Sequence, residues 1–259
     1  MNTIWIIAQG TFGEAMRRKI LNVFLFVAIA MLVMGFAFSS LDPRQELVIV
    51  RSLGLGVIQL AGVFISVILG INLIPNEIER RTIYTILSKP VQRYEFLLGK
   101  FLGGLLTVLA NIALMGLVFF LLVSWKEGHA NTAILKGILM TFFQLFLVSS
   151  IAVFFSAFLS PFVNFFLTFA VFLLGSMSSV IESLGTNDSK KSVVTVYFFK
   201  ALHLVLPNFG NFNIENPIIH PDVIVTNEVH YILMTIGYAL VYSAFVLTAA
   251  VLIFDKREL

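Results

Sequence analysis

The chain has 259 residues, of which 59% are hydrophobic and only 12% charged, with a mean hydropathy of +0.97. A soluble domain holds about 45–50% apolar and about 25% charged residues, so a cytosolic enzyme, a disordered tail and a secreted disulfide scaffold are all excluded. The absence of cysteine removes disulfides, thiolate metal sites and cysteine nucleophiles together. A net charge of +3 is no nucleic-acid signature here, because the charges fall in short clusters between long uncharged runs. The composition is that of an integral membrane protein.

At the N-terminus, Trp5, Ala8, Phe12 and Met16 recur at helical spacing, while Gln9, Glu14 and Arg18 lie elsewhere. The segment 3–19 is too short and too polar to span. It reads as an amphipathic helix lying in the interface, with Arg17, Arg18 and Lys19 toward acidic headgroups. The plainer alternative is a basic leader that orients the first span.

A bilayer core of about 30 Å needs about 20 apolar residues per helix, since no backbone group can stay unpaired in lipid. Uncharged runs predict spans at 20–38, 52–75 and 101–125. Residues 137–181 then hold no charge at all. At 1.5 Å per residue that run would reach about 67 Å, so it must fold back. Ser160-Pro161 is the turn signal, which gives spans at 137–159 and 162–180. The last span is 231–254. The expectation is an all-α integral membrane protein of six spans, forming a single domain over residues 1–259.

Ten Lys and Arg residues fall on the side of the termini and seven on the other, so both termini are expected in the cytoplasm. Trp5 and Trp125 sit at interface depths on opposite sides. The 19 apolar residues of the first span exceed a signal-peptide core, which makes it a retained anchor.

Between the second and third spans, residues 76–100 gather charge that the flanking spans lack. Asn76 and Glu79 have the spacing of a capping box, Glu77 and Arg81 pair four apart, and Pro90 stops the helix. A second short helix is expected from Gln92 into the third span. The segment is either a docking element for a partner or an ordinary solvated, positive-inside loop.

Glu79-x-Arg81-Thr82, Leu87-Ser88-Lys89-Pro90-Val91-x-Arg93 and Leu98-Gly99-Lys100 together resemble the signature of ABC-2 type transporter permeases, the membrane subunits of bacterial ABC exporters. Leu206-Pro207-Asn208-Phe209 through Phe212-Asn213 is similar to that family's outer loop. The resemblance implies a coupling helix seated in a separate ATP-binding subunit. The matching positions are Glu79, Arg81, Thr82, Pro90 and Arg93, with Glu77 and Arg80 beside them. It further implies a second permease subunit, as a homo- or heterodimer, and a bacterial plasma membrane. Charged groups at such a contact fix register more than affinity.

No Asp, Glu, Lys, Arg or His lies in mid-span, which argues against a secondary carrier and an intramembrane enzyme. Gly99-Lys100 is followed by Phe101 and lacks the earlier glycine of a P-loop, so energy must come from a partner. The sequence therefore offers no catalytic residue and no cofactor. A non-transporting membrane scaffold that transmits force is the rival reading, ahead of a channel or carrier.

The intramembrane amides Asn22, Gln59, Asn72, Asn111, Gln144 and Asn164 serve either as interhelix glue or as path lining. Gly62, Ser66 and Gly70 form a small-residue stripe, which the resemblance assigns to the contact between two permease subunits. The connection 181–230 is expected outside the cell. In it, 192–206 is apolar but too short to span, suiting an interfacial or re-entrant helix, and His203, His220 and His230 read as surface histidines rather than metal ligands.

Overall fold

In a computed structural model the protein is described at residues 3–39, 46–73, 92–129, 132–184, 193–213 and 228–256. The elements among them are helical: α1 Thr3–Met16, α2 Lys19–Ser39, α3 Glu46–Asn72, α4 Arg93–Glu127, α5 Thr132–Ser156, α6 Pro161–Ser176, α7 Ser178–Leu184, α8 Val193–Val205, a 3-10 turn Gly210–Phe212, and α9 Glu228–Lys256. Four stretches are long and apolar enough to cross a membrane: Val50–Ile71 in α3, then α4, α5 and α9. Thr3–Met16 and Leu21–Ala37 form a pair bent by 62°, and α6 is a shorter apolar helix of 16 residues. Among the described residues, four helices, or five with the bent pair, are long and apolar enough to span, beside the six spans read from the uncharged runs.

Two boundaries depart from the sequence reading. The short helix expected at Gln92 and the third span are one element, α4, of 35 residues. At 1.5 Å per residue it reaches about 52 Å, longer than a bilayer core of about 30 Å. The helix starts where the Glu95 carboxylate accepts from the Gln92 main-chain N–H at 3.1 Å. It ends at Gly128, whose φ of 71° needs a residue without a Cβ and whose N–H donates to the Ser124 carbonyl. Residues 162–180 are likewise not one uninterrupted helix. Pro161 opens α6 at the first helical position, and α6 stops at Ser176 before the short α7.

Helix α5 sits at the centre, packed on α3, α4, α6 and α9. Leu145, Leu147, Val148 and Ala152 are buried on several sides of it, the pattern of a helix apolar all round. The stripe Gly62, Ser66 and Gly70 faces this helix inside the same chain. Side chains in place of the two glycines would strike Leu145 and Ala152, and Ser66 is fully buried. Within the chain, this face is filled by α5. Small residues bring the α3 and α5 backbones close, and dispersion contacts take the place of a hydrophobic drive that lipid does not supply.

The amides split between roles. Asn164 donates to the Ala152 carbonyl at 2.9 Å and ties α6 to α5, whereas Asn111 donates to Thr107 of its own helix at 2.8 Å. Asn22 is exposed.

Candidate functional site: a packed platform and a polar cavity at opposite ends

The alternation of helix directions brings the start of α4 and the ends of α5 and α9 to one end of the bundle, together with α1. Leu73, Phe96, Leu97, Val153, Ala157 and Phe254 share a compact apolar cluster there. Phe96 stacks on Phe254 at 6.2 Å, and the buried Lys100 ammonium lies 5.8 Å from the Phe96 ring centre. Arg93 donates from Nη1 to the carbonyls of Asp255 at 2.8 Å and Phe254 at 3.2 Å. A cation on the last carbonyls of a helix satisfies acceptors that have no partner within it and complements the helix dipole.

Against this end lies α1. Its buried residues are Ala8, Thr11 and Ala15, while Trp5 and Met16 stay exposed. The stripe Trp5–Ala8–Phe12–Met16 expected from the sequence is thus split, because the small residues carry the protein contact. A Cβ on Gly103 would stand 2.5 Å from the Ala8 carbonyl oxygen and from Thr11, and one on Gly99 would stand 2.8 Å from Ile7 Cβ. Two glycines one helical turn apart let the α1 backbone rest directly on α4. Sequence reasoning quoted Gly99 only within a motif and passed over Gly103, although the four-residue spacing was there to be read.

Of the residues assigned to coupling, Arg93 lies in this platform. Glu77, Glu79, Arg80, Arg81, Thr82 and Pro90 lie outside the described residues, in the segment that runs directly into α4.

At the opposite end, α3, α6, α7 and residues 208–213 enclose a cavity of about 560 Å³. Its wall is built by the stretch Leu206–Asn213. Phe209 and Phe212 are buried, and the Phe209 N–H donates to the Gly175 carbonyl at 3.0 Å. Gly175 is required there, since a side chain would strike the Pro207 carbonyl. A polar chain crosses the bundle beneath: Gln59 Nε2 donates to Gln144 Oε1 at 3.0 Å, and Gln144 Nε2 donates to the Phe209 carbonyl at 3.4 Å. Gln59 combines both roles that the sequence left open, tying α3 to α5 and lining the cavity.

A tyrosine ladder on α9 holds the same stretch. Tyr242 donates to the Val205 carbonyl at 2.8 Å, Tyr238 accepts the Asn208 N–H at 3.0 Å, and Tyr231 donates to the Asn211 carbonyl at 3.2 Å. Spacings of seven and four put these three on one helix face. Sequence reasoning missed them, because three tyrosines in an apolar helix carry no motif until their main-chain partners are known.

The family model described as ABC-2 family transporter protein matches residues 5–259. No protein of curated function matches the chain.

Proposed function

The chain belongs to the ABC-2 transporter family, and on that membership we propose that it is the membrane-spanning permease subunit of an ATP-driven exporter. It works with a separate ATP-binding subunit and a second permease subunit in a bacterial plasma membrane. The platform end faces the cytoplasm, with both termini there, and the cavity is the outer mouth of the substrate path. One observation carries this reading. The segment 76–91 enters α4 at the point where Arg93 grips the end of α9 and Gly99 and Gly103 seat α1. A push from an ATPase on that segment therefore reaches three helices at once, through contacts too tightly packed to absorb it.

The test is affinity purification of the chain from its native membrane in mild detergent, with mass spectrometry for a P-loop ATPase and Glu79→Arg run in parallel. Recovery of an ATPase with the wild type and its loss with the variant support the permease reading. Wild type that inserts and folds yet brings down no ATPase overturns it in favour of a scaffold or channel.

A further inference from the structure

The cavity at the end away from the platform has a mixed polar and apolar lining. Glu182 of α7 is the one charged side chain among the described residues that line it. Beside it stand the carboxamides of Gln59, Asn208 and Asn211, over an aromatic floor of Phe172 and Phe209. A carboxylate and amide carbonyls are groups that solvate an organic cation. The carboxylate supplies charge, the amide oxygens take its N–H groups, and the apolar lining takes its hydrocarbon body. Glu182 is exposed, so its charge acts through water at the cavity and at short range, attracting a cation and repelling an anion. About 560 Å³ accommodates a drug-sized molecule.

We propose that this cavity binds amphipathic organic cations and discriminates against organic anions of the same size. The proposal rests on the cavity being the mouth of the substrate path, and it names the chemical class that the path accepts. Its floor takes the apolar body of the ligand, and Glu182 at the rim takes the charge.

Gly56 supplies a variant that fills the site without disturbing the fold. It lines the cavity, and among the described residues no atom lies within 4 Å of where its Cβ would stand. Met at this position projects into the empty space and also favours the helix.

The experiment uses the full chain in phosphatidylcholine nanodiscs, with empty discs as background and fluorescence anisotropy as the readout. The probes are ethidium, a planar organic cation, and fluorescein, a planar organic anion of similar size. Saturable ethidium binding is expected, with fluorescein at background. Glu182→Gln weakens ethidium by about three- to fivefold, the scale of one partly solvated ion pair. Gly56→Met weakens it by about tenfold or more, while the thermal midpoint of each variant stays at the wild-type value. No saturable ethidium binding, equal or tighter fluorescein binding, or ethidium binding unchanged in both variants overturns the proposal. No ATPase enters this assay, so its failure leaves the permease reading standing. Loss of ATPase co-purification, in turn, leaves the cation site standing.

Discussion

Arg51 reaches from the first turns of α3 to one carboxylate oxygen of Glu127 at the end of α4, with Nη2 at 2.6 Å and Nε at 3.0 Å. The Glu127 side chain is 1% exposed and that of Arg51 34%. A charge-assisted contact of this kind locks the two helices at the cavity end of the bundle. Its strength depends on burial: removing one partner of a buried pair strands the other charge. Arg51→Met is therefore expected to destabilise the chain by about 1–2 kcal/mol, since His129 Nε2 still lies 3.6 Å from the other Glu127 oxygen. The double variant Arg51→Met/Glu127→Gln should recover most of that loss, because no isolated charge remains. Thermal midpoints in detergent read both. A double variant no better than the single would show that the pair acts through packing alone.

The platform makes a prediction from glycine spacing. Gly103→Val puts a branched side chain where the Ala8 carbonyl and Thr11 already stand, and overpacking of this kind costs about 1–3 kcal/mol. On α1 itself, Gly10 and Gly13 have open space around them. Gly10→Ala and Gly13→Ala should be neutral or gain up to about 1 kcal/mol each in helix propensity. Size-exclusion chromatography after graded heating distinguishes the two classes. Equal tolerance at Gly103 and Gly10 would mean that α1 does not rest on α4.

Arg93 is tested through its two carbonyl acceptors. Arg93→Lys keeps the charge but replaces the rigid guanidinium, whose Nη1 alone donates to the carbonyls of both Phe254 and Asp255, with a flexible ammonium that must be held in place at greater entropic cost. A loss of about 1 kcal/mol is expected, and about 2 kcal/mol for Arg93→Ala. On the permease reading, both variants also lower substrate-independent ATPase coupling in the purified complex. If stability falls by these amounts and coupling is untouched, Arg93 is a structural clamp and not part of the route for force.

These contacts mark where sequence reasoning reached its limit. Helical character was legible because lipid leaves the backbone no other way to pair its polar groups, and Pro161 opens α6 because proline lacks the N–H that a helix start does not need. A helix leading from Gln92 into the third span was legible; that the two form one continuous element of 35 residues was not. Arg93, Glu95 and Lys100 interrupt the apolar pattern, yet the helix continues through them, with Lys100 buried beside the Phe96 ring by contacts that leave no local signature. The Gly62–Ser66–Gly70 stripe could be recognised as a close-packing face, but nothing in a periodicity tells α5 of the same chain from a second copy. Arg51 and Glu127 are 76 residues apart, and Glu182 and Asn208 come to line one cavity only through the tertiary fold. Such pairings have no local signature.

The tyrosine ladder allows the wall of the cavity to be loosened one rung at a time. Tyr238→Phe removes the acceptor of the Asn208 N–H, and a partly buried donor left without a partner costs about 1–3 kcal/mol. Tyr231→Phe removes a donor instead. The Asn211 carbonyl keeps two lone pairs and can turn to water beside the cavity, so the cost there should be about 0.5–1 kcal/mol. Because the chain holds no cysteine, Asn211→Cys introduces a single reporter thiol without background. Its labelling rate with a membrane-impermeant maleimide should rise severalfold in Tyr238→Phe and less in Tyr231→Phe. That order follows from donor and acceptor chemistry, not from the position of each rung. The reverse order, or no change in either variant, would show that Phe209 and Phe212 hold the wall by packing and that the hydroxyls are incidental.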